Sequence, residues 1–139
     1  MERVRYSAIV DRPPLRWPGG ARVALWVVPN IEHYEYLPST QQARNPWQRS
    51  PPPDVLGYGR RDYGNRVGVW RLFDVLDRYG LRGTTSFNVA AFEHYPAILE
   101  ACMARRWDFM CHGIYNTRYN WNLEEEAEHA EIADCVETF

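Results

Sequence analysis

Two short stretches of this chain carry residue types suited to acid–base or metal chemistry. One is Asn30-Ile31-Glu32-His33-Tyr34, and the other is His112-Gly113-Ile114-Tyr115-Asn116. Each offers an imidazole and the first adds a carboxylate, a combination that suits metal binding or proton transfer. Structural roles stand beside these chemical ones. Glu32 is also placed to pair with Arg60 or Arg61 of the following segment, His112 to bond backbone in a turn, and Asn116 to shape a loop. Cys111 reads as a buried strand thiol, and His94 and His129 as solvated helix residues. Glu124, Glu125 and Glu126 read as a favourable first helical turn.

The elements that must position the two stretches follow from hydrophobic pattern. Arg22 to Val28 is a nearly continuous apolar run whose length and β-branched content predict a strand buried on both faces, stopped by Pro29. Pro and Gly recur between residues 36 and 65, which predicts a long loop. A helix is expected from Arg66 to Tyr79, with Val69, Leu72, Phe73 and Leu76 on one stripe and Gly80 as its stop. Thr84 to Val89 reads as a second strand. Tyr95 to Arg105 reads as a second helix, burying Ile98, Leu99, Cys102 and Met103, with Pro96 in its first turn. Trp107 to Cys111 is a third strand that runs straight into His112. Asn122 with Glu125 predicts a capped start for a last helix, whose stripe is Ile132, Cys135, Val136 and Phe139. Strands alternating with helices imply an α/β fold with parallel strands, and in such folds chemistry sits beyond the carboxyl ends of the strands. Both stretches fall there.

The bulk composition narrows the partners. The chain has 139 residues, enough for one domain with a core. It is 45% hydrophobic and 24% charged, as a globular protein is. A net charge of -2 speaks against a nucleic-acid or anionic-membrane partner. No apolar stretch is long enough to span a bilayer. The first residues carry no apolar signal core, and three unpaired cysteines suit reduced thiols, so a cytoplasmic location is expected. Aromatic residues reach 14% and many fall in irregular segments, where they either pack loops onto the core or wall a substrate pocket.

The order of these features resembles the NodB homology domain of the polysaccharide deacetylases (carbohydrate esterase family 4) and their relatives. Helix one followed by Gly83-Thr84-Thr85-Ser86-Phe87 is similar to that family's leucine-rich helix and Ala-Thr-Phe-Phe strand, and Cys111-His112-Gly113 to its Ser-His-Gly/Ser/Thr turn. The likeness covers most of residues 22–139. It implies the N-terminal part of an irregular (βα) barrel in which residues 1–139 form one truncated domain. On the family's Thr-Phe-Asp-Asp-Gly motif, Glu32 takes the position of the catalytic base, and His33 replaces the acid that ligates metal. On its His-Ser/Thr-x-x-His motif, His112 keeps the first ligand position and Asn116 stands at the second. The resemblance thus implies Glu32 and His112 as catalytic residues, Asn30, Tyr34, Tyr115 and Asn116 as substrate-binding, and His33 with His112 as ligands of a divalent metal, zinc by preference. Asn30-Ile31-Glu32 is closest to the allantoinase-like, amidase branch, whose tetrad is typically Asn-x-Glu-Glu. That branch implies hydrolysis of a carbon–nitrogen bond in a small amide, ureide or N-acetyl substrate. The family's later motifs, which include the general acid, are not in this sequence. The chain is therefore expected to be inactive alone and to need a missing C-terminal half or a homo-oligomer. The alternative is a non-catalytic α/β module for binding or assembly.

Overall fold

Three short strands, β1 (Asn30–Ile31), β2 (Thr84–Phe87) and β3 (Asp108–Cys111), lie side by side in chain order and run parallel in the computed structural model, which describes residues 4–38 and 53–139. The expected α/β architecture with parallel strands is what the chain adopts. Register places Ile31 beside Phe87 and Phe87 beside Cys111. The next residue on each strand, Glu32, Asn88 and His112, therefore falls in one row at the carboxyl end of the sheet.

The first strand departs from the expected run. Val27 bridges to Gly83, and the carbonyls of Val27 and Pro29 accept from the amides of Thr84 (3.0 Å) and Ser86 (2.9 Å). Pro29 does not stop the ladder, because the side of the strand facing β2 needs its carbonyl and not the N–H it lacks. Upstream, Val23, Leu25 and Trp26 are 77%, 71% and 68% exposed, so the predicted burial on both faces does not extend to them.

Of the loop expected over residues 36–65, residues 39–52 lie outside the described part, and its C-terminal end is helical. Helix α1 (Val55–Tyr63) begins at Asp54, whose carboxylate accepts from the amide of Gly57 at 2.9 Å. It passes through a π-helical turn, Gly64–Gly68, into α2 (Val69–Arg78). The glycines that suggested a loop are accommodated inside this helical run. Val69, Phe73 and Leu76 are buried and Leu72 partly so, as the stripe predicts. The run ends where Gly80 takes φ +63° and the amide of Leu81 returns to the carbonyl of Leu76 at 2.9 Å, a Schellman-type stop.

A short helix that the pattern did not predict, α3 (Ala90–His94), precedes α4 (Pro96–Ala104). Ile98 and Cys102 of α4 are buried as predicted, whereas Met103, predicted on the same stripe, is 60% exposed. Burial pushes the Cys102 thiol up to about 11. Helix α5 (Glu125–Thr138) starts after Glu124, which makes no side-chain cap bond, and not after Asn122, whose φ of +57° is left-handed and unsuited to a cap. Of its predicted stripe only Cys135 is buried. Cys111, expected as a buried thiol, is exposed.

The core forms where the helices meet the sheet: Ile31 and Phe87 from the strands, Phe73 and Leu76 from α2, Ile98 and Cys102 from α4, and Trp107. Phe73 and Trp107 meet edge to face at 5.2 Å. Among the described residues no helix is long and apolar enough to cross a membrane.

Candidate functional site

Glu32 leaves β1 on the open side of the sheet and is held there by three donors. His112 Nε2 lies 3.2 Å from its Oε1, Asn30 Nδ2 donates to the same oxygen at 3.4 Å, and the Tyr34 hydroxyl donates to Oε2 at 2.8 Å. Asn116 Nδ2 in turn donates to the Tyr34 oxygen. Five of the predicted site residues, Asn30, Glu32, Tyr34, His112 and Asn116, are thus brought into one network. Burial, then the bond to Glu32, pushes the Tyr34 phenol up to about 12, so it remains a donor at neutral pH. The side chains of His112 and Glu32 keep 35% and 24% of their surface, enough for a small molecule to reach them. A cavity of about 240 Å³ opens beside Glu32, walled also by Asn30, Tyr34, Arg61 and Asn65. Glu32 does not pair with Arg60 or Arg61: its one ion-pair partner among the described residues is His112.

His33 goes elsewhere. Successive strand residues face opposite sides, so with Glu32 on the open face His33 falls on the same side as buried Ile31 and is itself buried. Its Nδ1 lies 3.0 Å from the Tyr95 hydroxyl, and its ring stacks on His94 with centroids 3.9 Å apart. Tyr115 packs its edge on His33 at 5.6 Å and lies under the Arg118 guanidinium at 3.9 Å. His94 is exposed, as expected, and one face of its ring stacks on His33. The zinc set implied by the resemblance does not fit this geometry. His33 is turned into the aromatic cluster and Asn116 is a poor ligand. Among the described residues no three His, Cys, Asp or Glu side chains converge as a metal site.

Sequence reasoning missed the residues that hold the two loops together. Asn88 is fully buried at the end of β2, between them. Its Oδ1 accepts from the His33 amide at 2.9 Å, and its Nδ2 donates to the carbonyls of His112 and, at 3.3 Å, Gly113. Asn65, buried in the π-helical turn, donates to the Glu32 carbonyl at 2.7 Å. Glu35 accepts from Arg118 at 2.8 Å and from the Thr117 hydroxyl at 2.7 Å, and the Asn116 amide reaches the His33 carbonyl at 2.9 Å. Burial acts to raise the Glu35 pKa, but the bonds from Arg118 and Thr117 outweigh it and hold the carboxyl below its usual value. A polar residue at the end of the central strand, between two reactive loops, was the available signal for Asn88.

Solved structures share this fold. The chain matches Puue allantoinase with a TM-score of 0.74 at 20% identity, over 97% of this chain and 49% of that one. The fold is that of the allantoinase and deacetylase structures. A structure described as a polysaccharide deacetylase from Pseudomonas aeruginosa PAO1 matches with a TM-score of 0.70 at 24% identity, over 93% of this chain and 47% of that one. One so described from Mycobacterium smegmatis matches with 0.65 at 20%, over 91% and 42%. The chain therefore spans about half the length of the solved structures it matches. No protein-family model matches the sequence, and no curated protein does.

Proposed function

We propose that this chain carries the proton-transfer half of a hydrolase site for a carbon–nitrogen bond in a small amide, ureide or N-acetyl compound. The observation that carries this reading is the Glu32 carboxylate, fixed by His112, Asn30 and Tyr34 on the wall of a small cavity at the carboxyl end of the sheet. The likeness of fold to an allantoinase and two deacetylase structures supports it. Each carboxylate oxygen can accept more than one hydrogen bond, and Oε2 takes only the Tyr34 hydroxyl among the described residues. A free acceptor site therefore remains for water. Glu32 takes a proton from that water as its oxygen adds to the carbonyl carbon. His112 holds the carboxylate in place through Nε2. The C–N bond then breaks, and the proton held on Glu32 passes to the leaving nitrogen. Free thiols at Cys102, Cys111 and Cys135 support a cytoplasmic setting.

The test is release of free amine or ammonia from a panel of N-acetyl, N-carbamoyl and ureide compounds. Glu32→Gln is expected to lower the rate by a factor of about 10²–10⁴. Measurable turnover that is equal in wild type and Glu32→Gln overturns the assignment.

A second reading, an assembly module, is favoured by the exposed Val23, Leu25 and Trp26 and by an apolar cavity of about 420 Å³ lined by Cys111, Ile114, Ile132, Cys135 and Phe139. A stable oligomer that turns over no member of the panel supports it.

A further inference from the structure

Arg61 has no task in the steps above, yet it stands on the wall of the cavity that Glu32 opens into. Its guanidinium carbon sits 4.1 Å from the centroid of the Tyr34 ring, and that tyrosine's hydroxyl is bonded to Glu32. The cation and the general base are therefore separated by a single tyrosine ring. Both carboxylate oxygens of Glu32 already have donors, which leaves Arg61 uncommitted. No carboxylate among the described residues pairs with it, and none of its N–H groups is bonded to a described residue. The cation–π contact fixes the head group without using its N–H donors. Those donors form a planar fork that matches a carboxylate in two parallel hydrogen bonds.

The cavity is about 240 Å³, smaller than the roughly 300–1,000 Å³ of sites for drug-sized ligands, so its occupant is small. Gly64 and Gly68 contribute wall without side chains, and a Cβ at Gly64 would meet nothing within 4 Å, so the space beside Arg61 is open. Asn65, in the same turn, ties this wall to the Glu32 backbone at 2.7 Å and so fixes cation and base relative to one another.

We infer that Arg61 is a specificity-determining residue that binds a carboxylate on the substrate, so that the compounds taken are small N-acyl or N-carbamoyl amino acids in preference to neutral amides. This rests on the hydrolase reading and narrows it. The acid end lies on Arg61, and the amide or ureide carbonyl lies one tyrosine ring away, at Glu32.

The experiment reads binding without turnover. N-Methylsulfonylglycine, whose sulfonyl replaces the scissile carbonyl, and its neutral primary amide are titrated into the full chain by calorimetry, with wild type, Arg61→Gln and Arg61→Lys. Thermal melts confirm that the variants, altered at an exposed position, are folded. The acid is expected to bind wild type at least tenfold more tightly than the amide. Arg61→Gln should weaken the acid about ten- to hundredfold, the loss of a charge-assisted pair, and leave the amide unchanged. Arg61→Lys should fall between, keeping the charge but losing the fork. Equal affinity for acid and amide, equal affinity of wild type and Arg61→Gln for the acid, or no binding of either compound each overturns the inference. None of these touches the Glu32→Gln turnover test, so the two readings fail separately.

Discussion

Asn88 makes three hydrogen bonds from a side chain with no exposed surface, and their partners lie in both reactive loops. Truncation leaves the His33 amide and two loop carbonyls without their partner, so Asn88→Ala is expected to cost about 3 kcal/mol and to loosen Glu32 and His112 together. The denaturant midpoint measures the first effect, and the fall in turnover on the substrate panel relative to wild type measures the second. His33 makes a pH prediction. Burial, and after it His94, lower its pKa from 6.5, against opposing pulls from Glu35 and Asp62. The unfolded chain therefore binds the extra proton first. Stability should be flat above the unfolded value, fall as pH drops through 6.5, and level off below the folded value. Urea midpoints at pH 8, 7, 6 and 5 should trace that fall, and His33→Phe should flatten it. The Glu35 contribution is lost in a lower window, below its usual 4.5, because its folded pKa is depressed.

At the level of elements, the sheet is locked to its helices by close approach. A Cβ at Gly83 would come within 2.9 Å of the Trp107 ring, which is itself packed on Phe73. Gly83→Ala is therefore expected to destabilise the fold by about 1–3 kcal/mol through overpacking, read as a lower thermal midpoint. The salt bridge from Arg105 to Asp77 at 2.7 Å ties the end of α4 to α2 across the same region. The π-helical turn does different work. Such turns recur at functional sites, and here the turn sets Asn65 under Glu32. Its existence was not legible, because Gly57, Gly59, Gly64 and the proline run before Asp54 carry the composition of a loop.

Taken whole, the molecule leaves a sheet edge unpaired and apolar side chains uncovered among the described residues. The outer edge of β3 has no strand partner among the described residues, and Val23, Leu25 and Trp26 lie uncovered before β1. Unpaired edges and contiguous apolar surface favour association. Light scattering is expected to show self-association that rises with concentration and is reduced by the double substitution Val23→Lys and Leu25→Lys. A monodisperse monomer with and without the two lysines contradicts this.

The sequence by itself determined the α/β order, the parallel strands, the α2 stripe and the two reactive stretches, because each is written in local spacing: apolar runs, one helical stripe and polar residues at strand ends. The family resemblance further implied one candidate group of Glu32, His112, Asn30, Tyr34, Tyr115, Asn116 and His33, of which Tyr115 and His33 stand outside the network around Glu32. The tertiary structure decided what those residues touch. Whether Glu32 met Arg61 or His112 depended on where helix α1 sets Arg61, over the Tyr34 ring, which no spacing encodes. Whether His33 joined Glu32 followed from which face of β1 turned toward the helices. Alternation alone puts neighbours on opposite sides, but only packing on Phe87 and α2 chose the side. Asn88 and Asn65 gained their roles from partners 24 to 55 residues away in sequence, and such separations are set by the assembled core.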